Sequence, residues 1–515
     1  MAKGSGFLFE GSEWSFETMS RTYEAIEAVA LSDLGLEVYP NQIEIISSEQ
    51  MLDAYASIGM PLLYQHWSFG KHFAREEQLY RKGYMGLAYE LVINSNPCIS
   101  YCMEENTMAM QALVMAHAAF GHNHFFKNNY LFRQWTDAEA ILDYLSFAKG
   151  YLAKCEERHG IDAVEQILDA AHAIMDQGVF RYRRRPKTSL KEQMARESER
   201  QAYEQSIFND LWRTLPRGPE DAEPGVGEQE LAARKKKLNL PEESLLYFIE
   251  KNSPVLEPWE REILRIVRNV AQYFYPQKQT KVMNEGCATF VHHYIVDALY
   301  EKGQMTEGAM LEILHSHSGV VAQPGFDDRR FGGINPYALG FAMMEDIKRI
   351  CEAPTDEDRT WFPNFAGCQD WRGVLKDAWA NYRDESFVRQ YLSPHLMRKF
   401  RMFALSDDAA DDHYTVAAIH NERGYEKVRE ILADSYDIGV LEPRIEIADV
   451  DLRGDRRLCL EHTMRDGIPL AEEARDEVLK HVGRLWGYGV SLTGRDAETG
   501  EVRYETAVPE AERAA

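Results

Sequence analysis

Along most of the chain, apolar residues recur every three or four positions, the spacing that lines one face of an α-helix. Phe16–Leu34 carries such a stripe. Ser47 and Gln50 read as a capping box ahead of a helix over Met51–Ile58. Asn106 is placed to cap a helix through Phe120, which Gly121 would end. Ala138–Gly150 and Ala163–Asp176 read as further helices, and Tyr89–Ile93 as a strand or a helix end. Pro216–Gly227, rich in proline, glycine and acid, predicts a linker. Helical spacing resumes at Pro241 and runs to about Arg401, punctuated by Gln323-Pro-Gly and Arg330-Phe-Gly-Gly-Ile-Asn-Pro.

Beyond that point the period changes to two. Arg401–Leu405, Tyr414–Ile419, Arg444–Val450, Leu458–Thr463, Val490–Thr493 and Val502–Thr506 alternate as strands do, with helices expected over Tyr425–Ser435 and Leu470–Leu485. The expected architecture is a mainly α N-terminal region followed by a C-terminal α+β domain. Its divisions would be a helical domain over 1–215, a linker or exposed insertion over 216–240, a second helical domain over 241–400 packed on the first, and an α+β domain over 401–515.

Composition narrows the functional classes. An apolar share of 45% and a charged share of 27% are those of an ordinary globular protein. The formal net charge of −25 opposes binding to polyphosphate, so no nucleic-acid partner is expected. The basic runs Arg181–Arg185 and Arg234–Lys237 lie among acidic residues and read as solvated helix faces. No secretory signal or membrane span is recognisable. The seven cysteines are scattered without a CxxC pair, which predicts no disulfide framework and favours a reducing cytoplasm.

Seven of the sixteen histidines fall in two groups: His117, His122 and His124, then His292, His293, His315 and His317. Neutral imidazole is the commonest protein ligand for zinc and similar ions, so histidines gathered in apolar surroundings suggest a metal site. His117 shares a stripe with Met110, Leu113 and Val114, and could equally be a buried histidine satisfied by one hydrogen bond. His122 lies five residues on, about 140° round an unbroken α-helix. The two could converge if the helix broke at Gly121. Glu285, Thr289 and His292 share one helical face, with Glu285 and His292 about 10.5 Å apart along the axis. That separation suggests one as ligand and the other as acid, base or supporting partner. His124 and His293 read as structural. Glu312 and His315 form a Glu-x-x-His pair, a spacing that di-metal bundles also use. Glu90 sits in the most apolar stretch of the N-terminal half, where a carboxylate would be raised in pKa, paired, or bound to a cation.

No GxxxxGK[ST] loop, GxSxG elbow or GxGxxG turn occurs, nor HExxH, since Ala118 follows His117. Long stretches do carry a resemblance: YPNQIEIISSEQMLDAYASIGMP, GLAYELVINSNPCI, MQALVMAHAAFGHN, QYFYPQKQTKVMNEGCATF, INPYALGFAMMEDIKRIC and VDLRGDRRL. Through these the chain resembles the SpoVR-like family, the stage V sporulation protein R family of bacteria. The family typically reads MNEGWATFWH, so Cys287 and Val291 stand here where it has tryptophans. The resemblance implies a role in sporulation or in a stationary-phase stress response. It also implies a PrkA-like serine protein kinase and a von Willebrand factor A-like protein as partners.

The order His…Gly-His, then Glu-Gly-x-Ala far downstream, is also similar to zinc peptidases reading HExxPGH…EGWA. That likeness implies a metallopeptidase-like helical core with His117, His122 and Glu285 as ligands of zinc or another divalent transition metal. It leaves Glu90 and His292 to carry protons in amide or peptide hydrolysis. The base carboxylate those peptidases hold beside the first histidine is missing. The alternative is a non-catalytic regulatory or scaffold protein acting with the kinase.

Overall fold

A computed structural model describes residues 6–56, 60, 62–67, 90–181, 240–326, 328–406, 415–452, 454–465 and 467–509. The expected linker over 216–227, and the basic runs beyond Arg181, lie outside the described residues. Contacts divide the chain into two compact units. Unit 1 comprises Met1–Lys149 and Pro276–Leu441, and unit 2 comprises Gly150–Tyr275 and Glu442–Ala515. Each unit is therefore built from two separated stretches of chain, where the sequence pattern suggested consecutive blocks.

Unit 1 holds the helices that matter for the site: α1 (Phe16–Ala28), α2 (Ser48–Ala56), α3 (Met108–Val114), a π-helix (Met115–His122), α4 (Asn123–Asn128), α5 (Lys281–Glu301), α6 (Glu307–Val320), α7 (Pro336–Glu352) and α8 (Asp384–Tyr391). The Ser47–Gln50 capping box forms, with Gln50 N–H donating to Ser47 Oγ at 3.3 Å and Ser47 N–H to Gln50 Oε1 at 3.0 Å. Thr107, rather than Asn106, caps α3, its hydroxyl accepting from Met110 N–H. The helix is not ended by Gly121 either, but widens into the π-helix and continues into α4.

A three-stranded sheet of order β1-β3-β2 lies beside these helices: β1 (Asn41–Ile46), β2 (Glu90–Ile93) and β3 (Cys98–Met103). β1 runs parallel to β3 and β2 antiparallel, with Glu90 opposite Cys102.

Helix α5 is the axis of the unit. Val282, Met283, Phe290, Val291, Ile295 and Leu299 are essentially fully enclosed, and each large apolar side chain so buried contributes about 1.5–3 kcal/mol. On one flank α5 meets the π-helix. On another it meets α7 so closely that a Cβ built on Gly286 would lie 2.6 Å from the Cα and carbonyl carbon of Gly340. Only a residue without a side chain fits there.

The N-terminus of α5 lacks a cap of its own. Asp384 of α8 supplies one, accepting from Val282 N–H and Met283 N–H at 2.8 Å each. Asp384→Ala leaves those two buried donors without partners. The expected loss is about 1–3 kcal/mol, read as faster hydrogen exchange at the start of α5.

In unit 2, β4 (Arg444–Val450), β5 (Leu458–Met464), β6 (Val490–Asp496) and β7 (Val502–Val508) form a sheet in that order. β5 and β6 are parallel, and the helix Glu472–Trp486 connects them. The strands Ala404–Ser406 and Thr415–Ala418 pair only with each other. With the helix Glu422–Asp434 they fall in unit 1, because that helix packs on α8. The small C-terminal sheet domain therefore begins near Glu442, later than the alternation suggests.

Candidate metal centre

Three elements of unit 1 bring the polar side chains together. All eight residues of the π-helix are buried, so His117 and His122 have no solvent to turn to. Residues five apart diverge on an α-helix, but the i→i+5 turns of a π-helix make them neighbours. The two imidazole rings accordingly meet edge to face with centroids 4.7 Å apart. The widened turn does what a break at Gly121 was expected to do. Gly121 serves a different purpose, since its missing Cβ would lie 2.5 Å from the Cα of Ala288. This lets the π-helix lie directly against α5.

Helix α5 presents Asn284, Glu285 and His292 to that helix, and β2 presents Glu90 from its first position. His122 Nε2 is 3.6 Å from Glu285 Oε2, and His117 Nε2 is 3.9 Å from the same atom and 3.6 Å from Glu90 Oε1. Ligand atoms of Glu90, His117 and His122 all lie within 4.8 Å of one another, a grouping that could hold a metal ion. Two atoms sharing one tetrahedral zinc at its usual bond lengths stand about 3.4 Å apart, close to these separations.

The chemistry of the donors agrees. Glu285 Oε2 is buried without a hydrogen-bond partner. Among the described residues no lysine or arginine pairs with Glu285 or Glu90. Two carboxylates thus share an enclosure in which no described cation balances them, and both side chains are only 17% exposed. Burial first, then the charge of Glu285, pushes Glu90 up to about 8. Burial, followed by the neighbouring imidazoles, holds His117 well below the ordinary histidine range, which keeps it neutral as metal ligation requires.

The other ring nitrogens are anchored. His122 donates from Nδ1–H to Asn284 Oδ1 at 2.9 Å, which leaves the Nε2 lone pair facing Glu285. His117 Nδ1 lies 2.8 Å from His292 Nδ1. His292 therefore stands behind His117, on the side away from the carboxylates.

Sequence reasoning missed Asn284, and it placed His317 in the second histidine group without a role; its Nδ1 is 3.0 Å from His292 Nε2. Asn284 could have been suspected from its place next to Glu285, and nothing in the local pattern separates His317 from the exposed His315. The remaining histidines lie elsewhere. The Nδ1 of His124 is 3.0 Å from the backbone nitrogen of Glu37, and its ring packs on Trp379. His293 pairs with Asp297 at 3.2 Å. His315 is exposed, and Glu312 is engaged by the hydroxyl of Thr107, so the Glu-x-x-His pair does not meet the other ligands.

A family model described as SpoVR-like protein matches residues 13–441, and a second, described as SpoVR-like C-terminal domain, matches residues 443–497. The junction between them falls where unit 1 gives way to unit 2. The chain is 55% identical over 492 residues to the uncharacterized protein YcgB of Escherichia coli strain K12, covering 96% of this chain and 94% of that protein. No solved structure matches. Among the described residues no helix is long and apolar enough to cross a membrane.

Proposed function

Since this chain belongs to the SpoVR-like family, we propose that its helical unit 1 carries a metallohydrolase-like centre. His117, His122 and Glu285 hold one divalent transition-metal ion, zinc or a similar one. The observation that carries this reading is Glu285 Oε2, buried and without a partner, at ligand-to-ligand distance from two imidazole nitrogens. Two neutral nitrogens and a carboxylate, with a fourth position open, form the donor set of catalytic zinc sites.

A bound ion of this kind supplies Lewis acidity toward a carbonyl group or a water molecule. The chain's own part is to position and to move a proton. Glu90 lies on the Nε2 side of His117, among the ligand atoms, and its pKa raised by burial suits a group that accepts and returns a proton near neutrality. His292 stands on the Nδ1 side, so we assign it to orienting His117 and give the proton to Glu90. Amide or peptide hydrolysis is the reaction class we propose. The sporulation or stress setting, the kinase and the von Willebrand factor A-like partner belong to this proposal on the strength of the family resemblance.

Metal analysis of protein purified without a histidine tag tests the centre. The expectation is about one divalent ion per chain, falling below about 0.2 in His122→Ala, with Glu90→Gln retaining the ion while losing any hydrolytic activity. Equal metal content in the wild type and His122→Ala would overturn the site.

A further inference from the structure

Both nitrogens of His292 are engaged by other imidazoles. Its Nδ1 is 2.8 Å from His117 Nδ1, and its Nε2 is 3.0 Å from His317 Nδ1. A neutral imidazole has one N–H and one lone pair, so it can donate at one nitrogen only and accept at the other. Three neutral rings in a row therefore have two self-consistent arrangements, one running in each direction. In the first, His117 donates from Nδ1–H to His292, and His292 donates from Nε2–H to His317. In the second every bond is reversed, and His117 carries its proton on Nε2.

The two arrangements differ at the metal centre. The first presents the lone pair of His117 Nε2 to the space shared with Glu90 and Glu285. The second fills that space with an N–H, which no cation accepts. We propose that His317 is a positioning residue for this centre: as the terminal acceptor of the chain, it holds His292, and through it His117, in the tautomer that can ligate a metal. The inference rests on the metal-centre reading above and extends it to a residue on a third helix.

The surroundings fit that task. His317 is buried on α6, and its ring packs against those of Phe341 and His293, with centroids 4.8 and 4.9 Å away, the three rings forming one cluster. This fixes the direction in which its Nδ1 lone pair is offered. His292 and His317 line a small cavity together with His293 and Asp297, which leaves room beside the outer ring. His315, two residues away on the same helix, is exposed and takes no part.

The test is the zinc affinity of full-length protein, measured by competition with a chromophoric chelator, alongside nitrogen-15 NMR of the imidazole tautomers in the zinc-loaded state. Partners behind a ligating histidine typically carry a factor of 10–100 in affinity, so His317→Leu should bind zinc about tenfold more weakly, and His317→Gln, which restores an acceptor, should return to within about threefold. His315→Ala should match the wild type. The NMR spectra should show His292 protonated on Nε2 in the wild type and His317→Gln, and a tautomer mixture in His317→Leu. Unchanged affinity and tautomers in His317→Leu would overturn the role of His317 while leaving the centre standing. Weaker binding that glutamine does not restore, with tautomers unchanged, would reduce it to packing. A wild type that binds no zinc would remove the centre itself. Melting curves of each variant establish that it is folded.

Discussion

Gly286→Ala is expected to cost about 3–5 kcal/mol of unit 1 stability and to abolish metal binding in the same step. The added methyl group would meet the Cα and carbonyl carbon of Gly340 at 2.6 Å. Both partners are backbone, so no rotamer change relieves the clash and the two helices must separate. Because α5 carries Asn284, Glu285 and His292, any such separation displaces half of the metal centre. Gly308→Ala on α6 is the matched control, since a Cβ there meets nothing within 4 Å. Alanine is the better helix former by up to about 1 kcal/mol, so that variant should be neutral or slightly more stable. Urea unfolding followed by hydrogen exchange of the α5 amides reads both variants. Combining Gly286→Ala with Gly340→Ala should cost less than the sum, because one displacement accommodates both methyl groups. Wild-type protection of α5 in Gly286→Ala would mean that the helices are not in contact at this point.

The second large effect concerns the ion. Binding that favours the folded state stabilises it by about 4 kcal/mol when free ligand exceeds the dissociation constant a thousandfold. Zinc should therefore raise the melting midpoint of the wild type by several degrees, and a chelator should reverse the change. In Glu285→Ala combined with His122→Ala the response should vanish. The apo form of that double variant should be no less stable than apo wild type, because a buried carboxylate without a cation opposes folding. A zinc response that survives in the double variant would place the ion elsewhere.

Much of the secondary structure could be read from the chain. The strand Leu458–Met464 alternates buried and half-buried positions without a break, which is the signature that alternation detects. The π-helix could not be read in that way. Every one of its positions is buried, so no polar face marks a period, and a five-residue spacing looked like divergence. Glu285 and His292 were visible because they share a helical face. Asn284 and Asp384 were not, nor was the contact of His317 with His292, because each acts on a residue of another helix, 162, 102 or 101, and 25 positions away. Such pairings belong to tertiary packing, and a single sequence does not print them. Alternation likewise identifies strands but not the sheet they join, so it does not mark by itself where unit 2 resumes at Glu442.

The interleaving of the two units has a consequence for how the protein is made. The chain emerges in order, at about 5–20 residues per second, and all of Gly150–Tyr275 must be synthesised before unit 1 resumes. His117 and His122 therefore leave the ribosome some tens of seconds before Glu285 at the slower rates. Throughout that interval the face of the π-helix that α5 will cover, with His117 and His122 on it, is open to whatever else is nearby. A nascent chain of this design has a waiting period built into its order, in which a holding chaperone would shelter the π-helix and a free metal ion would meet only two of its three ligands.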